Sequence, residues 1–75
     1  MPKARNRAKF VELAEKRVVK AIRAIRLVGN LSNRNNYLYN DGDATKVIKA
    51  LEDEVKVLRK RFETGSASEE IQFKL

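Results

Sequence analysis

Apolar residues recur at helical spacing through the first part of the chain. From Ala8 onward they fall three or four positions apart, the period that places side chains on one side of an α-helix. Gly29 and Asn30 follow, and because both residue types tolerate left-handed backbone angles, they predict the end of this helix. The pattern therefore predicts a helix over about residues 8–28. Its apolar side, called the first seam below, consists of Val11, Ala14, Val18, Ala21, Ile22, Ile25 and Val28, with Phe10 at the edge.

The same spacing returns in the second half of the chain and predicts a helix over about residues 41–63. Asn40 can cap its amino terminus, and Asp43 can reach back from the third helical position. Lysine and arginine at 59–61 suit the negative end of the helix dipole, and Gly65 predicts where the helix ends. The apolar side of this helix, the second seam, consists of Ala44, Val47, Ile48, Leu51, Val55, Leu58 and Phe62.

The remaining segments define three parts: a basic arm at 1–7, a helical hairpin at 8–63, and a linker with a tail at 64–75. The connection between the helices, 30–39, is longer than a bare reversal of the chain requires. In the tail, apolar and polar residues alternate from Ile71 to Leu75, which is a weak signal for a strand.

Two amphipathic helices in 75 residues predict one all-α domain, an antiparallel helical hairpin. A single hairpin covers each seam on one side only, so we expect two copies to form a four-helix bundle. Ala14 and Ala21 allow a close approach of helices, which favours a subunit contact along the first helix. Alternatively, these alanines only accommodate large residues of the second helix. The predicted contact consists of Val11, Ala14, Val18, Ala21 and Ile25.

Cysteine and histidine are both absent from the sequence. The usual nitrogen and sulfur metal ligands are therefore missing, as are the Cys–His and Ser–His nucleophile pairs, so we expect no metal, no cofactor and no enzymatic activity. A chain without cysteine suits a reducing cytoplasm, where we expect the protein to reside. No apolar run has the length of a signal-peptide core or of a membrane span, and we expect neither.

The net charge of +7 is concentrated in the first half of the chain. Residues 1–36 contain ten basic and two acidic side chains, a net charge of +8, whereas residues 37–75 contain seven basic and eight acidic side chains, a net charge of −1. Such asymmetry favours a polyanionic partner for the first half, most often nucleic acid.

Cations on one side of the first helix are the leading candidates for phosphate contacts, because each can neutralise a phosphate and release a counterion. The alternative is a solvated helix face supported by pairs such as Glu12–Lys16. The candidate contacts, including the arm and one residue of the connection, are Lys3, Arg5, Arg7, Lys9, Lys16, Lys20, Arg23, Arg26 and Arg34.

The connection and the tail are candidates for recognition. Amide and aromatic side chains in the connection could read base edges, stack on unpaired bases or form a protein-binding tip, but they equally suit tight turns and the end of a bundle. Ile71, Phe73 and Leu75 could dock on the hairpin or on a partner, or belong to a loosely packed terminus. The candidates in the connection are Asn33, Asn35, Asn36, Tyr37 and Tyr39.

The segment AIRLVGNLSNRNNYLY, residues 24–39, together with the capped helix after it, resembles short helical-hairpin proteins of bacteria and phages. In architecture alone, the hairpin is similar to the plasmid repressor-of-primer proteins. That resemblance implies a dimeric four-helix bundle that binds RNA, although this chain has a longer connection and an added tail, and no motif residue can be carried over.

Our leading hypothesis is a small dimeric regulator that binds DNA or RNA through the first helix and the basic arm. The alternative is a protein-interaction module, an adaptor or an inhibitor that covers an acidic surface of a larger protein through the connection and the tail. Membrane association is disfavoured, because the second helix is expected to cover the first seam and no tryptophan is present as an anchor.

Overall fold

A computed structural model of the protein describes residues 6–65 and 73–75, and the regular elements within them are all helical. Two α-helices, α1 (Arg7–Gly29) and α2 (Asp41–Thr64), are separated by a 3-10 turn, Asn30–Ser32, and a short connection. The all-α class is confirmed. This order of elements, two helices joined by a short connection, is the one that a helical hairpin requires.

The chain divides between Tyr37 and Leu38 into two units, and the first contains α1. The Asn6 side chain accepts a hydrogen bond of 2.7 Å from the backbone N–H of Lys9. This bond satisfies one of the donors that the first turn of any helix leaves unpaired. The cap sets the start of α1 at Arg7, one residue before the predicted start.

The carboxyl end of α1 lies where the sequence predicted it, but it does not form through left-handed residues. Gly29 and Asn30 both keep right-handed helical angles, with φ of −60° and −63°. The N–H of Asn30 faces the carbonyl groups of Arg26, Leu27 and Val28, and this sharing tightens the chain into the 3-10 turn. The predicted position of the helix end is therefore confirmed, but the left-handed angles that these residue types tolerate are not used.

The second unit contains α2, and both of its predicted ends are confirmed. The Asn40 side chain accepts a hydrogen bond of 2.7 Å from the Asp43 N–H, and the Asp43 carboxylate accepts one of 3.2 Å from the Asn40 N–H. This reciprocal capping box sets the start of the helix. Gly65 has φ of 69°, a left-handed angle that glycine adopts without strain, and its N–H donates to the carbonyl of Arg61.

None of the described side chains is buried, although both helices are amphipathic. Three members of each seam are half-buried and the others are exposed. Charged residues interrupt the apolar ones so often that neither helix of the described part has the apolar length needed to cross a membrane. The half-buried members are Val11, Ala14 and Val28 in the first seam and Ala44, Val47 and Leu51 in the second.

The last three residues belong to the predicted tail. Phe73 and Leu75 are exposed, and residues 73–75 adopt no regular secondary structure. The strand suggested by the alternating pattern is therefore not formed over these three positions. Ile71, the first apolar residue of the tail, lies outside the described residues.

Candidate nucleic-acid interface

Four of the predicted phosphate contacts share one side of α1, which is helical throughout the positions concerned. An α-helix turns by about 100° per residue, so Lys9, Lys16, Lys20 and Arg23 fall within an arc of about 60°. The centre of this arc lies about 170° from the centre of the first seam. The cations and the apolar side chains therefore occupy opposite sides of the helix.

One carboxylate lies among these cations and pairs with two of them. Glu12 forms ion pairs with Lys16 at 3.3 Å and with Lys9 at 3.6 Å. The Glu12–Lys16 pair is the one that the sequence predicted for a solvated helix face. Because all three side chains are exposed, the pairs add little stability, but they place a negative charge in the amino-terminal half of the cationic side.

The carboxyl-terminal half of α1 has no such compensation. Its cations recur at every third position from 17 to 26, and the segment 17–29 contains no acidic residue. Within the part of the chain that the structure describes, none of these four cations takes part in an ion pair. The four cations, called the cation ladder below, are Arg17, Lys20, Arg23 and Arg26.

The cation ladder is not a straight stripe. Each step of three residues turns the helix by about 300°, so successive cations are displaced by about 60° around it, and the four cover about 180°. Lys20 and Arg23 occupy the middle of this arc, whereas Arg17 and Arg26 lie on its two flanks, next to the borders of the first seam. Arg17 was missing from the predicted contacts, and the three-residue period of the cations is the signal that could have found it.

The other predicted contact cations lie in different places. The Arg7 guanidinium carbon lies over the Phe10 ring, 5.7 Å from its centroid, at the edge of the first seam. Arg34 lies in the turn that follows the 3-10 turn. Lys3 and Arg5, in the basic arm, are outside the described residues.

Asn33 closes the turn in the connection through its side-chain oxygen and its backbone carbonyl. Its side-chain oxygen accepts a hydrogen bond of 2.9 Å from the Asn35 N–H. Its backbone carbonyl accepts bonds of 3.1 and 3.0 Å from the N–H groups of Asn36 and Tyr37. These bonds are what asparagine commonly provides in turns, the structural alternative to recognition. Asn35, Asn36 and Tyr37 have exposed side chains.

Tyr39 belongs to the second unit, where it is half-buried directly before the capping box of α2. α2 differs from α1 in charge, because it contains six basic and six acidic residues. Lys49 and Asp53 form an exposed pair on this helix at 3.2 Å. The helices therefore differ in kind: α1, with seven basic and two acidic residues, carries a net charge of +5, and α2 is neutral.

A shallow apolar hollow lies on α2, bordered by residues of this helix alone. Its lining consists of Val55, Leu58, Arg59, Phe62 and Glu63. Three of the five belong to the second seam, so the hollow marks seam surface that a packing partner could fill.

Among the described residues, no cluster of three or more acidic side chains is arranged to hold a metal ion. No protein-family model, curated protein or solved structure matches the chain. The charge and geometry of α1 are therefore the features from which a function can be inferred.

Proposed function

We propose that this protein binds nucleic acid through the polar side of α1 and does so as a dimer. The observation that carries the proposal is the cation ladder, which has no acid in its segment and whose middle, Lys20 and Arg23, lies opposite the first seam. Because the seam suits contact with other helices, packing would leave the cations facing solvent, where they can reach phosphates.

A solvated helix face explains the amino-terminal half of α1 better than the carboxyl-terminal half. Surface helices commonly alternate charges so that pairs form three or four residues apart, as Glu12 does with Lys9 and Lys16. Lys20 and Arg23 repel one another without such relief. A polyanion removes this repulsion, and for that reason it is favoured as the partner.

The dimer is proposed because one chain provides more apolar surface than it buries. No described residue is buried, and small domains need most of their apolar surface covered to be stable. α2 carries a second apolar stripe besides its seam, formed by Ala50 and Val57 and separated from the seam by Glu54 and Arg61. Two apolar stripes on α2 suit contact with two neighbouring helices, and the chain itself can supply only one of them, α1.

A second copy is the simplest source of the other neighbour, giving a four-helix bundle. We place the subunit contact along α1, where Ala14 and Ala21 lie seven residues apart on the first seam and would let two helices approach closely. Val11, Val18 and Ile25 complete the contact. The antiparallel hairpin within each chain is part of the same proposal.

The proposed function predicts a steep dependence of affinity on salt. If about four phosphates are neutralised per protomer, the logarithm of the association constant for a nucleic-acid duplex should fall with the logarithm of salt concentration with a slope near −3.6 for each protomer that contacts the duplex. Fluorescence anisotropy with a labelled duplex, titrated at several salt concentrations, measures this slope. Affinity that does not change with salt would eliminate nucleic-acid binding through these cations.

A protein-interaction module is the second candidate, and the exposed apolar residues outside the helices favour it. Leu38 is fully exposed, and Phe73 and Leu75 are more than half exposed. If these residues carry the function, a chain that lacks residues 66–75 should lose its partner. Under the nucleic-acid proposal the same truncation should leave the affinity for a duplex and its salt slope unchanged, so one variant separates the two candidates.

Glu12→Gln is expected to strengthen duplex binding by about three- to tenfold, because it releases Lys9 and Lys16 from their shared carboxylate. Glu15→Gln is the matched control. It removes the same charge three residues away, but Glu15 lies away from the cationic side and forms no ion pair with a described residue. Equal gains from the two variants would mean that net charge alone, rather than the cationic side of α1, governs binding.

A further inference from the structure

The arrangement of the cation ladder distinguishes between forms of nucleic acid. Cations within a narrow arc can contact one phosphate backbone along the surface of a duplex. The ladder instead spreads over about 180° of the helix while it rises only about 13.5 Å from Arg17 to Arg26. Cations on both flanks and in the middle suit a concave partner, with negative charge on two walls.

We propose that the segment 17–27 of α1 enters the major groove of B-form DNA. This inference rests on the proposed nucleic-acid function and specifies its ligand. The groove is about 12 Å wide, the space that an α-helix with its side chains occupies. In that position Arg17 and Arg26 reach phosphates of the two opposite strands, and Lys20 and Arg23 face the floor of the groove.

Two uncharged residues on the same side of α1 fit this placement. Leu27 lies between Lys20 and Arg23 around the helix, opposite the first seam, and it is 67% exposed. A leucine there is unexplained by packing, whereas the floor of the major groove offers thymine methyl groups for apolar contact. Ala24 lies between Arg17 and Lys20 around the helix, and its small side chain allows the helix backbone to come close to the bases.

Double-stranded RNA does not offer an equivalent site. The major groove of A-form RNA is deep and narrow, so side chains cannot read it, and its wide minor groove presents hydroxyl groups on a shallow surface. A helix with cations on both flanks could place only part of them on that surface. B-form DNA is therefore the ligand that the ladder fits.

The test compares DNA and RNA duplexes of one sequence and about 20 base pairs, about two helical turns, at the same salt concentration. We expect the RNA duplex to bind at least about tenfold more weakly and with a smaller salt slope. Dimethyl sulfate protection adds a readout of position, because it modifies guanine N7 in the major groove and adenine N3 in the minor groove. Protection is expected at guanine N7 alone.

Two double variants with equal loss of charge test the role of the flanks. Arg17→Gln with Arg26→Gln should reduce the salt slope on DNA by about 1.8 for each protomer that contacts the DNA, because each loses two phosphate contacts. Lys56→Gln with Lys60→Gln, on the polar side of α2, should leave the slope unchanged. Equal slopes for both variants, protection at adenine N3, or equal affinity for the two duplexes would overturn insertion into the major groove.

The outcomes also separate insertion into the major groove from the proposed nucleic-acid binding on which it rests. If both duplexes bind equally and with a steep salt dependence, nucleic-acid binding stands and the choice of B-form DNA is wrong. If neither duplex binds in a salt-dependent way, the proposed function itself fails.

Discussion

Lys20→Glu combined with Arg23→Glu is expected to weaken binding to duplex DNA by about a thousandfold at about 0.1 M salt. In the major groove both side chains face base edges, where the loss of one contact costs about 1–3 kcal/mol, so the loss of two contacts at the lower end of this range alone costs about 30-fold. The two new carboxylates then repel the phosphates on both sides of the groove. Lys16, the next cation on this side of α1, is paired with Glu12 and lies outside the segment 17–27, so it does not replace them.

Lys56→Glu with Lys60→Glu is the control for this reversal, since it changes the net charge of the protein by the same amount. Both lysines are exposed on the polar side of α2, and neither pairs with a described acidic residue. We expect the control to weaken binding by less than about tenfold through the long-range field alone. Anisotropy titrations give the affinities, and circular dichroism verifies that both variants remain helical. Equal losses would show that the total charge matters and the face of α1 does not.

The two helices were predictable because their signals are local. Spacing of three and four residues is enough to define an apolar side, and the ends are set by groups a few residues apart. Asn40 and Asp43 form the capping box that their spacing predicted, and Gly65 adopts the left-handed angle. The backbone conformation at the end of α1 was harder to predict than its position, because Gly29 permits a left-handed angle without requiring one, and the chain continues into a 3-10 turn instead.

The candidate interface was predictable in its side of the helix but not in its distribution of charge. The spacing placed Lys9, Lys16, Lys20 and Arg23 together, and it also predicted the pair between Glu12 and Lys16. That Glu12 would hold Lys9 as well depends on side-chain rotamers, which the sequence does not specify. This shared pairing moves the uncompensated charge toward the carboxyl end of α1.

The role of the asparagines in the connection could not be predicted from composition alone. The same amide groups that could read a base can also close a turn, and the sequence contains both possibilities at once. Asn33 uses its side-chain oxygen and its backbone carbonyl within the turn. Only the hydrogen bonds, which depend on the folded backbone, separate the two roles, and for Asn33 they favour the turn.

Val18→Asp is expected to abolish both the dimer and the folded helices, whereas Val19→Asp should preserve them. The two valines are neighbours with similar exposure in the single chain, 55% for Val18 and 46% for Val19. Both substitutions change the same residue type and add the same charge. They differ in direction: Val18 lies at the centre of the first seam, and Val19 lies about 100° away, outside it.

The expected difference follows from the environment that the proposed bundle gives each valine. A carboxylate buried at position 18 without a partner costs several kcal/mol. The hydrophobic core of a domain of this size supplies only about 3–5 kcal/mol of stability, so the cost is large enough to unfold it. An exposed substitution at Val19 should change stability by no more than about 0.5 kcal/mol. Sedimentation equilibrium measures the assembly, and thermal unfolding at two protein concentrations measures stability. If the chain works as a monomer, unfolding will not depend on protein concentration, and sedimentation will give the mass of a single chain. A difference between these adjacent valines shows that another helix covers the first seam, and the dependence on concentration tells whether that helix belongs to a second copy or is α2 of the same chain. Equal behaviour of the two variants would contradict a covered seam.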